Sequence, residues 1–420
     1  MLKRWISVCL TWALVFTLCG VATAEEETVT LSVSFWTSAD EQETKMGLFE
    51  EFQKQHPNIK LDLTYCGGGD YPVKLQTMLV GNQAPDVMAI ASDVMDPFLG
   101  QGYFEDLTPY MEKDGLTNEW VQSGIDTFTY DGEIFAAPFV SKVMCIVYNK
   151  EIFDAAGIAY PSEDWTEAEM LDAAKKLTSG EGVERTWGFY WSWMAAEMMR
   201  NLYGSAPVYD ADTMTMQAKD NAAFRHTMEL FEQMLLKDNS SPDPVSQSSI
   251  SGGFESGKFA MSIAITAGLE NIAKMIGDSF EWGVVALPVS EQYGPWSSTL
   301  RLDGFMMSSQ SAHKEAAWEL IRYLTADREA LIRAGSTGIP MAKQILEDEE
   351  VMNGMYPSCD FDRSLLTRTI ERASSFHGAG IFAELNTVVD ENYQAFILGD
   401  YDLDTMLEEM QAQGEEILAQ

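Results

Sequence analysis

Residues Val29 to Phe35 read Val-Thr-Leu-Ser-Val-Ser-Phe, apolar and small polar side chains in strict alternation. A period of two sends one set to one face, so the run predicts a half-buried β-strand. Met46, Leu48, Phe49 and Phe52 follow at helical spacing, and Pro57 stops that helix. Ile59, Leu61, Leu63 and Tyr65 alternate again as a second strand. A helix is predicted from Val73 to Leu79, after which Pro85 opens Asp86-Val87-Met88-Ala89-Ile90 as a buried strand. Strand and helix in alternation predict an α/β region built on a largely parallel sheet.

From about residue 160 the pattern is richer in helix. Thr166 and Glu169 have the spacing of a capping box, with Met170, Leu171, Ala174 and Leu177 as the buried face behind it. Phe224, Met228, Phe231 and Leu235 mark another amphipathic helix, and Ala316 to Leu331 a third. Thr405 and Glu408 read as a second capping box, with Met406, Met410 and Ile417 inward. There is no internal repeat and no low-complexity linker, so domains are expected to interleave through short crossings.

The N-terminus carries Lys3 and Arg4, then an apolar run from Trp5 to Leu18, then Ala22-Thr23-Ala24. That is the layout of a secretory signal peptide over residues 1–24, and the run is short of the about 20 residues of a membrane-spanning helix. Cys19 offers a lipidation site, but Leu18 stands where a small residue is wanted, so a free periplasmic or extracytoplasmic protein is the first expectation and a lipoprotein the second. Residues 1–24 carry no charge besides Lys3 and Arg4, so their removal takes the formal net charge from −38 to −40. Such an acidic chain makes nucleic acid a poor partner. Cys66, Cys145 and Cys359 remain, at spacings that match no zinc or redox motif.

Three motifs mislead. Gly252 to Lys258 imitates a phosphate-binding loop, but Phe259 stands where Ser or Thr is required. Asp400, Asp402 and Asp404 imitate a calcium loop whose sixth and twelfth places hold Thr405 and Gln411. No local signal singles out a glycosidase carboxylate pair. No metal and no cofactor are expected, and the chain reads as a binder and not an enzyme.

Other segments fall in the order of one family. Phe35-Trp36-Thr37-Ser38-Ala39-Asp40 ends the first strand, and Lys74 to Val87 closes on Gly81-Asn82-Gln83-Ala84-Pro85-Asp86-Val87. Gly102 to Tyr110, Asp131 to Pro138, Val147 to Gly157, Phe254 to Met261, Gly338-Ile339-Pro340 and Gly399 to Glu409 follow. Together they cover most of the chain, and they resemble the family 1 extracellular solute-binding proteins, the sugar-capturing subunits of ABC importers, a family that includes maltose-binding proteins. The resemblance implies an α/β, two-lobed periplasmic-binding-protein fold (type II) with a multi-segment hinge. It implies lobes of 25–140 plus 264–308 and 141–263 plus 309–420, with crossings near 139–143, 260–265 and 306–312. It also implies a monomer that delivers a carbohydrate to the permease subunits of an ABC importer.

A sugar offers apolar C–H faces for aromatic rings and hydroxyls that need donors and acceptors. The resemblance places Trp36, Ser38, Asp40 and Asp93 on the wall of the first lobe, Ser141 and Lys142 at the first crossing, and Thr266 just past the second. Trp191 and Trp193 are expected as aromatic platforms. Trp296, Arg301 and Asp303 lie in a loop where the family has small residues, which leaves neutral and acidic sugars both open. His377 is a late candidate.

Overall fold

The computed structural model describes residues 28–419 except 40, 96–97, 192–199, 201, 204–207, 211–214, 244–245, 248–249, 298–300 and 374–381. The alternating run at 29–35 is a strand. β1 (Val29–Trp36) leads through α1 (Gln42–Gln55), whose Leu48, Phe49 and Phe52 are buried, to β2 (Ile59–Cys66). The two strands pair parallel, from Val29 opposite Ile59 to Trp36 opposite Cys66. α2 (Tyr71–Val80) then delivers β3 (Val87–Ala91) to the other side of β1. Asp86 pins that approach. Its Oδ2 accepts from Ser32 N at 2.9 Å and Ser32 Oγ at 2.7 Å, and its Oδ1 from Ser311 Oγ at 2.6 Å. The Ala-Pro-Asp-Val signature is thus a joint between strands.

β4 (Ala136–Lys142) belongs to this sheet, and β5 (Met144–Asn149), one residue later, belongs to another. α3 (Glu167–Leu177) and α4 (Ala222–Glu232) follow, then β6 (Met261–Ile265), α5 (Leu269–Ile276) and β7 (Trp282–Val285). β5 lies between β6 and β7, antiparallel to both. Its alternation feeds two cores. Met144, Ile146 and Tyr148 face residues of α3 and α4, while Cys145 and Val147 join Leu269, Ala273 and Ile276 of α5.

β8 (Arg301–Met307) returns to the first sheet, antiparallel to β3 and β4, and α6 (Lys314–Ala326) packs on it. α7 (Arg328–Ala334) packs on α1, and β9 (Ile339–Pro340) closes the edge, giving the order β9-β4-β8-β3-β1-β2. α8 (Ser364–Arg372), α9 (Phe382–Ile397) and α10 (Leu403–Leu418) complete the chain, α9 and α10 on the second sheet's core. Among the described residues no helix is long and apolar enough to cross a membrane.

The chain changes sheet at Val143 and between Val285 and Arg301, and after Pro340 it returns through α9 and α10 to the second sheet's core. Two expected crossings are therefore displaced. Residues 264–285 stay with the second sheet, because both edges of β5 are taken by β6 and β7. Residues 309–340 stay with the first, where α6 covers β8 and β4. The Thr166–Glu169 capping box forms, with Glu169 N donating to Thr166 Oγ1 at 3.2 Å and Thr166 N to Glu169 Oε2 at 2.7 Å. The expected second box does not cap α10, which starts three residues earlier than a Thr405 cap would place it. Its cap is Asp402, whose carboxylate accepts from Thr405 N at 2.8 Å. The helix expected from Ala316 to Leu331 is two, because Asp327 accepts from Ala330 N at 3.0 Å and starts α7.

Candidate functional site

The first crossing is built by a β-bulge. Opposite β8, Gly304 faces Pro138 and Asp303 faces Val140, so Phe139 is the extra residue. Pro138 cannot donate to the ladder, which makes a bulge there cheap. One inserted residue reverses which face the rest of the strand presents. Lys142 is thereby placed opposite Arg301, on the face that carries Asp303.

On that face four charged side chains meet. Lys142 Nζ lies 3.2 Å from Glu41 Oε1 and 3.5 Å from Asp303 Oδ2. Lys45, one helical turn beyond Glu41, sets its Nζ 2.8 Å from Glu41 Oε2 and donates to the Trp36 carbonyl at 3.0 Å. The same ammonium lies 5.3 Å from the centre of the Trp36 ring. Asp303 is 5% exposed and Lys45 8%. Burial works to lower the Lys142 ammonium, but Asp303 and Glu41 more than reverse it and hold it above its ordinary value. Burial works to raise Glu41, and Lys45 with Lys142 pull it below its ordinary value. For Asp303 burial prevails over Lys142, Lys45 and Arg301, and the carboxyl is raised.

Trp36, at the end of β1, is half-buried and leans on Tyr71, ring centres 5.3 Å apart. Tyr71 is fixed by its hydroxyl, which meets Ser34 Oγ at 2.7 Å and donates toward the carbonyls of Ser34 and Ala89 at 3.0 Å each. Thr266 joins the crossing from the second sheet. Its N donates to the Val143 carbonyl at 2.9 Å, and its Oγ1 accepts from Val143 N at 3.4 Å. Ser141, two residues before Val143, is buried, with an Oγ that finds no partner.

The structure therefore gathers Lys142, Asp303 and Arg301 on one face of the first sheet, with Trp36 at the end of β1 beside Lys45, and Ser141 and Thr266 at the adjoining crossing. Ser38 is exposed in the loop after Trp36. The backbone of Asp93 lies in a short helix, Ser92–Met95, directly after β3. Asp40, Trp193 and His377 lie outside the described residues.

Two candidates are core residues, the expected platform Trp191 and the loop residue Trp296. Trp191 is 3% exposed, between Phe231 at 4.3 Å and Trp296 at 5.4 Å, both stacked. Trp296 is 1% exposed, and its Nε1 donates to Glu167 Oε2 at 2.6 Å. Glu167 also accepts from the Tyr203 hydroxyl, and its Oε1 lies 2.8 Å from His226 Nε2. Neither indole face of Trp191 is open to a ligand. Glu41 and Lys45 were missed from sequence, although their i, i+4 spacing beside the Trp36 loop was there to be read.

Comparison with known proteins follows the same lines. The sequence profile described as bacterial extracellular solute-binding protein matches residues 37–330. A putative binding protein of Brucella abortus is 23% identical over 432 aligned positions, covering 100% of this chain and 99% of that protein. The ABC substrate-binding protein Lmo0181 of Listeria monocytogenes, solved in complex with cycloalternan, superposes with a TM-score of 0.78 at 20% identity, over 94% of this chain and 100% of that one. The sugar-binding protein MalE of Xanthomonas citri gives 0.79 at 18% identity, over 93% and 97%. At such identities the likeness establishes the fold, that of the two-lobed binding proteins.

Proposed function

Because the chain belongs to the bacterial extracellular solute-binding proteins, we propose that it captures a sugar or oligosaccharide between its two sheets and presents it to the permease of an ABC importer. The observation that carries this reading is the junction at Val143. There a half-buried indole, two lysines and two carboxylates converge where the chain passes from one sheet to the other. An indole face suits the C–H face of a sugar, and the charged groups supply donors and acceptors for hydroxyls, a buried unmatched one costing about 1–3 kcal/mol.

In this reading one lobe comprises 28–142 and 301–340 and the other 144–285 and 382–419, following sheet and core membership. Trp36, Ser38, Asp40, Asp93, Ser141, Lys142, Thr266, Arg301 and Asp303 bound the ligand. Lys45, Lys142 and Arg301 are set against Glu41, Asp303, Asp40 and Asp93, so the set has no excess of positive charge, which favours a neutral sugar over an acidic one. Residues 1–24 serve as a cleaved signal peptide, and the protein works as a monomer outside the cytoplasm. Closure is driven only by the ligand's greater affinity for the closed form, and the permease reads that form.

A thermal-shift and fluorescence screen against neutral mono- and oligosaccharides tests the reading. A ligand that binds only the folded state stabilises it by about 2.7 kcal/mol at a hundredfold excess over Kd. A binder leaves the sugar intact, so product formation would favour a secreted glycosidase. No shift with any carbohydrate would end the proposal.

A further inference from the structure

We propose, resting on the reading that a ligand is held at the Val143 junction, that Glu41 makes this site selective for uncharged over anionic solutes by holding a carboxylate against both Lys45 and Lys142. The solutes turned away are sugar acids and sugar phosphates.

Local features of the chain bring the carboxylate there. Glu41 stands at the N-cap of α1, and its carbonyl accepts from Lys45 N at 3.0 Å. The first turn thus sets the two side chains on one face, at i, i+4 spacing and in the favourable order, acid before base. The bulge at Phe139 turns Lys142 onto the face that carries Asp303. Glu41 then gives one oxygen to each ammonium. Its Oε2 lies 2.8 Å from Lys45 Nζ and its Oε1 3.2 Å from Lys142 Nζ. Of the two carboxylates at the junction, only Glu41 reaches both. Asp303 Oδ2 lies 3.5 Å from Lys142, and Lys45 is otherwise bonded to the neutral Trp36 carbonyl at 3.0 Å.

The side chains of Lys45, Lys142 and Glu41 keep 10%, 16% and 15% of their surface exposed, which leaves each with an area that a solute can touch. An anion approaching Lys142 is drawn by the ammonium and repelled by the carboxylate bonded to it. The two effects offset one another. A neutral hydroxyl loses nothing, because an ammonium has three N–H donors and can share one with it. Glu41 is therefore a positioning residue that acts through the two lysines. Near a protein surface, removing one unit charge about 6 Å from an anion changes its binding by more than about tenfold.

Glu41→Gln is the test, with glucose and glucuronate, galactose and galacturonate, and inorganic phosphate as probes, read by calorimetric titration at low ionic strength. The variant should bind at least one of the anions about tenfold or more tighter than wild type does, and added salt should erase the gain. Glu41→Asp restores the charge and should reverse most of the gain, whereas a merely structural role would weaken every probe alike in both variants. Glu41→Ala makes the same removal if Glu41→Gln does not fold. No gain for any anion in a folded variant, a gain indifferent to salt, or a gain that Glu41→Asp shares in full would overturn the proposal. Wild type judges the wider reading separately. If it binds neutral sugars while Glu41→Gln gains no anion, this inference fails and that reading stands. If it binds no sugar, that reading fails, and the phosphate titration still decides the role of Glu41.

Discussion

Glu167 should be the costliest single side chain to remove from the second core. It is 7% exposed at the start of α3 and ties together four separate stretches of chain, through Tyr203, His226, Trp296 and its own helix. Glu167→Ala strips the acceptor from two buried donors, Trp296 Nε1 and the Tyr203 hydroxyl, at about 1–3 kcal/mol each. It also removes the partner of half-exposed His226, a smaller loss. The expected destabilisation is about 3–5 kcal/mol, in the range found when one member of a buried pair is removed. Glu167→Gln, which keeps one acceptor oxygen, should cost about half of that. Urea unfolding followed by tryptophan fluorescence measures both. The pair also predicts a pH window. His226 is raised above its ordinary 6.5 by its bond to Glu167, so its contribution is full below 6.5 and fades as pH climbs through the raised value. For Glu167 burial works upward, but His226, Tyr203 and Trp296 hold it below its ordinary 4.5. Its contribution is therefore full above 4.5 and fades as pH falls through the lowered value. Wild type should lose stability on the alkaline side of that window, and His226→Gln should lose that dependence. A Glu167→Ala protein within about 1 kcal/mol of wild type, or an alkaline step that survives in His226→Gln, would refute the reasoning.

Lys142→Met leaves Asp303 buried without its ion pair and should destabilise by about 3–5 kcal/mol. Lys142→Met combined with Asp303→Leu should cost less than the sum of the two, which a double-mutant cycle in urea reads directly. Gly188→Ala would set its Cβ 1.8 Å from the Ala174 carbonyl oxygen, a backbone clash, and soluble expression with a melting scan should show a fold lost or severely weakened. Trp36→Ala should weaken carbohydrate binding at least about tenfold, since the half-buried ring proposed to meet the sugar is removed, whereas Trp191→Phe should leave Kd within about threefold by titration. Trp120→Phe removes a buried donor to the Thr325 carbonyl at 2.9 Å and should cost about 1–2 kcal/mol in the same unfolding assay.

The alternation at Val29–Trp36 and the Thr166 capping box were legible because both are local: a period of two and a three-residue spacing carry their own geometry. The resemblance implied three crossings, and the described strands change sheet at Val143 and between Val285 and Arg301. Met261–Ile265 is an apolar run that satisfies either sheet by itself, and only the pairing with β5 decides its place. The register of β4 was hidden for the same reason. Pro138 hints at irregularity, yet it takes the antiparallel partner β8 to show that Phe139 is the residue left over and that Lys142 is turned onto the face of Asp303.

A tryptophan in the sequence does not say whether its ring is open or packed. A ligand platform and a core plug have the same composition, and Trp191 and Trp296 went to the core because they stack on each other and Trp191 also on Phe231 of α4. Lysines seldom go under cover unless paired. In a chain with 27 basic residues against 65 acidic ones, solvent-exposed carboxylates are everywhere, so one more acidic residue in a loop says little. Two lysines drawn beneath the surface at one point are another matter. Desolvating them is costly, and only the paired carboxylates of Glu41 and Asp303 make it tolerable. Core packing does not require that expense, since a leucine at 142 and another at 303 would fill the same space more cheaply. The charges are retained where the two sheets join and where Trp36 is left half-open, which is the place a hinged binder must offer polar groups to whatever enters.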